Sequence, residues 1–331
     1  MKNEGQTLDR TKEIAQKFKA HIINFEWGQI QAKEGMFISE ANMPFVSLIF
    51  PAKNEGDHVR TTLESVLKTK TDYPFEMIVV DDGSSDGCCD FIATHESAGR
   101  VKLIRTEGIG AANARNLGAD HSTGSYLIFC DAHLFFEDFW IDRLIEPIRE
   151  GLADGTTPGI APTNAPDAAG YGQTLDHQLG VKWNGWQPKI FPCAILSGGC
   201  FAISRNVFFD IGGFEAGFKR WGYEDVEISL KIWLFGYTCC AVPSVKILHL
   251  FRQSHPYPIA WEDIYYNMMR MAYSHFTPER IDKCKTLIKY ADADHILTAL
   301  LESDVAAQRH VYLKRRTYSD NWFMEKFGIP F

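Results

Sequence analysis

Residues 46–56 read VSLIFPAKNEG: a short run fit for the inside of a sheet, then a proline, then a polar loop. A mostly apolar run this short, closed by turn-forming residues, reads as a buried strand. Working outward, Val59, Leu63, Val66 and Leu67 recur at the spacing of a helix lying on that sheet. Residues 76–80 (EMIVV) make a second strand that runs into the turn DDGSSDG at 81–87. A helix at 89–96, a strand at 101–105, a loop with Gly108 and Gly110 and a helix at 111–119 follow. A third buried run, YLIFC at 126–130, stops at Asp131. Strand, loop and helix repeated in this order predict an α/β fold with a mostly parallel, Rossmann-like sheet flanked by crossover helices. Ligands of such sheets sit beyond the carboxyl ends of the strands, so PAKNEG, DDGSSD and the stretch from Asp131 should face one crevice.

The rest of the chain is expected to elaborate this core. Residues 1–43 are polar, with a helix at 11–20 and a strand at 21–27; the word KNEG occurs at 2–5 and again at 53–56. A catalytic unit is expected at 44–258, split into a nucleotide-binding half (44–135) and a donor-sugar and acceptor half (136–258). Within it, 151–195 is rich in Gly, Pro, Asn and Asp and reads as an irregular excursion over the surface. Helices are expected near 206–211 and at 224–236, and short strands at 238–242 and 246–250. From Trp261 the chain is mostly amphipathic helix, a C-terminal extension assigned to packing.

Composition removes several classes. With 331 residues, 45% hydrophobic and 23% charged, the chain can bury a large core without staples. A net charge of −8 argues against a general nucleic-acid binder. The eight cysteines form no CxxC, and two pairs, Cys88–Cys89 and Cys239–Cys240, are adjacent in sequence, a poor arrangement for structural bridges. No hydrophobic leader and no apolar run of membrane-spanning length occurs, so the expectation is a reduced, cytoplasmic protein with no membrane span.

Three groups carry chemistry. Asp131 and His133 stand at i and i+2 at a strand end, on one side of an extended chain. Mixed oxygen and nitrogen ligation suits Mn²⁺ well and Mg²⁺ less well, and an ion there would neutralise a diphosphate leaving group. The sequence WGYEDVE at 221–227 starts a helix with three acids behind an aromatic and a glycine. Acids favour a helix N-terminus on structural grounds, yet one held in a shaped pocket can take a proton from an attacking acceptor. His249, on an apolar strand, reads as a core residue unless a ligand pair needs a third member. A rival reading comes from GIGAAN at 108–113, which follows a strand and opens a helix as a nicotinamide-cofactor site would. Its third glycine is missing, and the first strand–loop–helix unit carries no such fingerprint.

VSLIFPAKNEG, IVVDDGSSD, GIGAANARNLGA and FCDAH together resemble the nucleotide-binding half of family 2 glycosyltransferases, which have the GT-A fold. SGGCFAISRNVFFDIGGFEAGF, RWGYEDVEISLKIWLFG and VKILHLFRQSHPY are similar to the polypeptide N-acetylgalactosaminyltransferases. The resemblance runs from about Phe45 to Tyr257. It implies a metal-dependent transferase with a UDP-sugar donor and Asp131, His133 and His249 as metal ligands. It implies that Asp81 or Asp82 meets the uridine, with Pro51, Lys53 and Glu55 on the neighbouring loop, and that Asn113 or Arg115 lies beside the nucleotide. Gly198 and Gly199 would let backbone approach the donor sugar, and the segment from Trp221 to Asp225 would border sugar and acceptor. The mucin-type enzymes have Glu-Asn where this chain has Glu224-Asp225 and retain anomeric configuration. Inverting GT-A enzymes commonly place an Asp base second in such a pair, so Glu224 and Asp225 are the candidate catalytic residues, with Asp225 as the base of an inverting transfer. The acceptor class stays open between a peptide Ser, Thr or Cys side chain, a glycan and a lipid-linked acceptor; a catalytically inactive nucleotide-binding scaffold is the remaining alternative.

Overall fold

A computed structural model describes residues 21–22, 45–94, 98–252 and 254–331. The expected helix at 11–20 and most of the expected strand at 21–27 lie outside these residues; His21–Ile22 form a two-residue strand, β1. The first half alternates as the sequence predicts. Strand β2 (Val46–Ala52) is followed by helix α1 (His58–Lys68), β3 (Phe75–Asp82), β4 (Val101–Thr106), helix α2 (Ala111–Asp120) and β5 (Tyr126–Cys130). β4, β3, β2 and β5 pair in parallel in that order. Alternation of side chains along β2 explains the layering. Leu48 and Phe50 share a core with Val59, Leu63 and Val66 of α1, while Ile49 packs on the other face with Ala114 and Leu117 of α2.

Of the helix expected at 89–96, residues 95–96 lie outside the described residues and the rest forms one 3-10 turn, Asp90–Ala93. The acidic turn before it takes the local hydrogen bonds: Asp86 Oδ1 accepts from Cys88 N, and Gly87 O from Asp90 N.

Past β5 come β6 (Leu134–Phe135), helix α3 (Trp140–Arg149) and β7 (Gly155–Pro162). β7 corrects the expected surface excursion: seven of its eight residues are buried. It lies inside the sheet, between β12 (Cys200–Ser204) and β13 (Cys239–His249). Its sequence, GTTPGIAP, hides this because burial is achieved without bulk. A Cβ on Gly159 would come within 2.4 Å of the Tyr171 ring. Thr156 Oγ1 donates to Leu144 O at 2.7 Å and Thr157 Oγ1 to Cys200 O at 2.9 Å, so the buried hydroxyls are satisfied. The two short strands expected at 238–242 and 246–250 are one, β13, with its register to β7 shifted between Val242 and Lys246. The shorter strands β8 (Gly170–Tyr171), β9 (Gln173–Leu175), β10 (Val181–Trp183) and β11 (Phe191–Pro192) fill the segment between β7 and β12. All eight cysteines are buried free thiols.

Helices α4 (Arg205–Asp210) and α5 (Glu224–Leu234) precede β13, and α6 (Trp261–His275), α7 (Pro278–Lys285), α8 (Ala293–Leu301), α9 (Val305–Arg315) and α10 (Asp320–Lys326) close the chain. This C-terminal helical part shares one hydrophobic core with α2 and α5: Ile228 and Ile232 of α5 sit with Met268 and Met271 of α6 and Phe323 of α10. An ionic group crosses that core. Glu227 and Lys231 on α5 and His275 on α6 are all at most 1% exposed. Lys231 Nζ stands 3.2 Å and His275 Nε2 2.9 Å from the Glu227 carboxylate. Lys231→Met is therefore expected to destabilise the protein by about 3–5 kcal/mol in denaturant titrations, because it leaves the buried Glu227 carboxylate with His275 as its remaining partner. A loss under about 1 kcal/mol would contradict this role for the pair.

Candidate donor and metal site

The carboxyl ends of β2, β3 and β5 open into a cavity of about 780 Å³ lined by Pro51, Lys53, Glu55, Asp82, Asp131 and His133 among others. Strand pairing assembles the three expected ligands. Asp131 follows β5, and its N–H donates to Gly199 O at 2.9 Å, just before β12. His249 is the last residue of β13 and pairs with Leu134, while Leu250 N donates to His133 O at 3.1 Å. One ligand atom from each of Asp131, His133 and His249 lies within 4.8 Å of the others. Asp131 Oδ2 is 3.3 Å from His249 Nε2 and 4.0 Å from His133 Nε2, and the two rings meet edge to face.

The donor set fits a borderline cation. Burial pushes the Asp131 carboxyl up, but the His249 bond and the charges of His133 and Arg115 outweigh it, holding it well below the usual carboxylate range. One ionised oxygen and two imidazole nitrogens then converge, a mixed set that a first-row divalent cation such as Mn²⁺ can occupy. His133 is turned to that task by Glu55, whose Oε2 lies 3.1 Å from Nδ1 and leaves Nε2 facing Asp131. Glu55 also pairs with Arg252. Its carboxyl stays lowered despite burial, because the bonds from His133 and Arg252 more than offset it. So Glu55, expected at the nucleotide, stands behind a ligand as well as on the cavity wall.

Arg115 joins the end of β5 to the start of α5. It is 5% exposed and reaches Asp131 Oδ1 at 3.1 Å, Glu224 Oε1 at 3.5 Å and Gly198 O at 3.4 Å. Glu224 accepts from Gly222 N at 2.7 Å. Asp225 is half-buried against Gly198, where a Cβ would lie 3.1 Å from Asp225 Oδ2. Burial, then the charge of Glu224, pushes the Asp225 carboxyl up to about 6.

Of the two uridine candidates, Asp82 lines the cavity. It accepts from Thr106 Oγ1 and Ile109 N at 2.6 Å and from Gly110 N at 3.0 Å, knitting the 107–110 loop to β3. Lys53 Nζ caps Asp82 O at 2.6 Å. Asp81 accepts from Ser84 N at 3.0 Å and faces Arg105. Asn113 departs from its expected place: its amide donates to Ile109 O and Ala216 O, both at 3.2 Å, and it holds α2 to a neighbouring loop without lining the cavity. Gly198 and Gly199 likewise leave room for side chains, Asp225 at the first and His249, 3.2 Å from a Cβ, at the second.

The match to known proteins fits this geometry. The model of glycosyl transferase family 2 matches residues 47–212, half of the chain. The chain belongs to glycosyl transferase family 2. A second model, the N-terminal domain of galactosyltransferase, matches residues 179–256. Polypeptide N-acetylgalactosaminyltransferase 11 of Xenopus tropicalis is 29% identical over 70% of this chain and 43% of its own length. The probable N-acetylgalactosaminyltransferase 7 of Caenorhabditis elegans is 29% identical over 86% of this chain and 51% of its own. The chain spans about half the length of these relatives, and 29% of polypeptide N-acetylgalactosaminyltransferase 5 of Rattus norvegicus. Among solved structures, GalNAc-T7 with UDP, GalNAc and Mn²⁺ superposes with a TM-score of 0.68 at 24% identity, covering 87% of this chain and 57% of that one. The mannosyltransferase PcManGT of Pyrobaculum calidifontis, with GDP-Man and Mn²⁺, gives 0.50 at 16% identity over 98% and 92%. Likeness at these identities establishes the GT-A fold.

This family 2 site also contains residues the sequence reading did not single out. Arg220, Arg252, His255 and Tyr257 line the cavity beside Trp221, whose ring centroid is 4.8 Å from that of His255. The signal for the last three was present: directly after His249 the sequence packs an arginine, a histidine and a tyrosine into eight residues. These groups put cationic and aromatic side chains on the cavity wall next to His249.

Proposed function

We propose that this chain is a divalent-metal-dependent glycosyltransferase using a UDP-sugar donor, with Mn²⁺ held by Asp131, His133 and His249. The convergence of those three side chains with Arg115 at the carboxyl ends of the parallel strands is the observation that carries the reading. When bound, the ion supplies positive charge that stabilises the departing diphosphate. Lys53, Arg252 and Arg220 add cationic groups along the same cavity. The wall made by Trp221, His255 and Tyr257 excludes water from the donor.

The acceptor in this reading is a peptide hydroxyl, and UDP-GalNAc is the donor to test first; both follow from the relatives named above. Asp225 is the base: its carboxylate takes the proton of the acceptor hydroxyl as that oxygen bonds to the anomeric carbon, and the bond to the diphosphate breaks with its electron pair. A carboxyl pushed up to about 6 is ionised at neutral pH yet basic enough for this. The transfer then inverts the anomeric centre. The eight buried free thiols accord with work in a reducing compartment.

A screen of UDP-sugars for Mn²⁺-stimulated UDP release, with Ser/Thr peptides as acceptors and NMR of the anomeric proton, tests this. Turnover with no donor would defeat the transferase reading; a retained configuration would remove Asp225 as base and leave the transfer standing. Glu55→Gln is expected to weaken Mn²⁺ binding by about 10–100-fold in an electron paramagnetic resonance titration, because His133 loses its orienting carboxylate. Unchanged affinity would contradict that role of Glu55.

A further inference from the structure

We infer that Asn267 and Asp263 on α6 are positioning residues of the donor site, fixing the 219–222 loop so that Trp221 and Arg220 face the cavity. The inference rests on the transferase reading of that cavity. It also takes α6 beyond the packing role expected from its amphipathic sequence.

The loop needs such support. Gly222 has φ +108° and Tyr223 φ +66°, so the chain turns sharply into α5 and leaves any regular ladder. Its carbonyls must find donors elsewhere. Asn267, 0% exposed, provides them: Nδ2 donates to Lys219 O at 2.8 Å and Gly222 O at 2.9 Å, with Trp221 O at 3.3 Å. Its Oδ1 accepts from Lys219 N at 2.7 Å. The remaining carbonyl, Arg220 O, accepts from Ala111 N at 2.7 Å, at the start of α2. All four consecutive carbonyls are therefore held, three of them by one side chain.

The same helix touches the loop twice more. Ile264 packs under Gly222, where a Cβ would meet it at 3.4 Å. Asp263 Oδ2 lies 3.5 Å from Arg220 Nε, tethering a guanidinium that is otherwise largely exposed. Gly110, on the opposite side, is pressed against the Arg220 backbone, with its Cβ position 3.0 Å from Arg220 O. The loop is clamped between the nucleotide-side helix α2 and the C-terminal helix α6. An apolar residue at 267 would take the amide donor from three carbonyls, of which Gly222 O is buried and the other two are partly so.

Hydrogen exchange of the apo protein and calorimetry with UDP plus Mn²⁺ test this on Asn267→Ala, with Met268→Ala as a control that loosens the same helix without touching the loop. Asn267→Ala is expected to lose amide protection across 219–223 and to raise the Kd of UDP about tenfold or more. Met268→Ala is expected to lower Tm while leaving the Kd of UDP unchanged. Asn267→Asp, which keeps only the acceptor half of the clamp, should behave as the alanine variant does. Unchanged protection in Asn267→Ala overturns the inference, as does lost protection with unchanged UDP affinity, or an equal loss of affinity in Met268→Ala. If Asn267→Ala does not fold, Asp263→Asn decides: a rise of about threefold in the Kd of UDP supports the tether, and no change overturns it. Failure of the wild-type protein to bind UDP counts against the transferase reading, and the exchange result on Asn267→Ala then decides the clamp by itself.

Discussion

Asp131→Ala is expected to lower kcat/KM for Mn²⁺-dependent sugar transfer by about 1,000-fold or more. Loss of charge stabilisation worth roughly 4 kcal/mol at the leaving diphosphate corresponds to that factor. Asp131 supplies the ionised oxygen of the ligand set and also pairs with Arg115, so one substitution disturbs both the ion and the guanidinium beside it. The measurement is UDP release at saturating Mn²⁺, with thermal melting as a check on folding. A folded variant with activity within about tenfold of wild type would contradict the ligand assignment.

Asp225→Asn is expected to have an effect of similar size on transfer and to raise stability at alkaline pH. Amide cannot take the acceptor proton, so kcat should fall by about 100–10,000-fold. In the wild type, activity should rise with pH through about 6, as the carboxyl ionises, and then level off. The stability effect follows from linkage. The folded-state pKa lies above the unfolded value near 3.9, so the folded protein binds more protons between the two. The favourable contribution of protonated Asp225 is complete below about pH 4 and is lost as pH rises through about 6. Asp225→Asn should therefore change stability little at pH 4 and raise it at pH 8, by at most about 2–3 kcal/mol, less for the water that reaches a half-buried side chain. Parallel melting and rate profiles across pH 4–8 check both. An active Asp225→Asn variant would assign the base elsewhere.

The first half of the fold could be read because each of its strands carries a short bulky apolar run closed by a polar turn. VSLIF, EMIVV and YLIFC needed no tertiary information. β7 could not be read that way. Gly155, Thr156, Thr157, Pro158 and Gly159 are buried by small size and by hydroxyl bonds to carbonyls, a form of burial that hydropathy does not register. β13 split into two at the register shift beyond Val242, where Pro243 interrupts the pattern. The site shows the same division. Asp131 and His133 could be paired by spacing alone. His249 lies 118 residues from Asp131 in sequence, and the pairing of β13 with β6 and β7 brings the two together, so its own neighbours make it look like a core residue. The resemblance to a family supplied what spacing could not. Asn267 carries no local signal, because its side chain bonds to backbone 45 to 48 residues away in sequence.

The central claim is that Asp131, His133 and His249 grip one divalent cation beside the donor diphosphate. An anomalous difference map at the manganese edge, from crystals grown with MnCl₂ and UDP, tests it most directly. A single strong peak is expected within bonding distance of Asp131, His133 and His249 and of the UDP phosphates. A map with UDP in the cavity and the peak elsewhere, or with the three side chains turned apart, would contradict it.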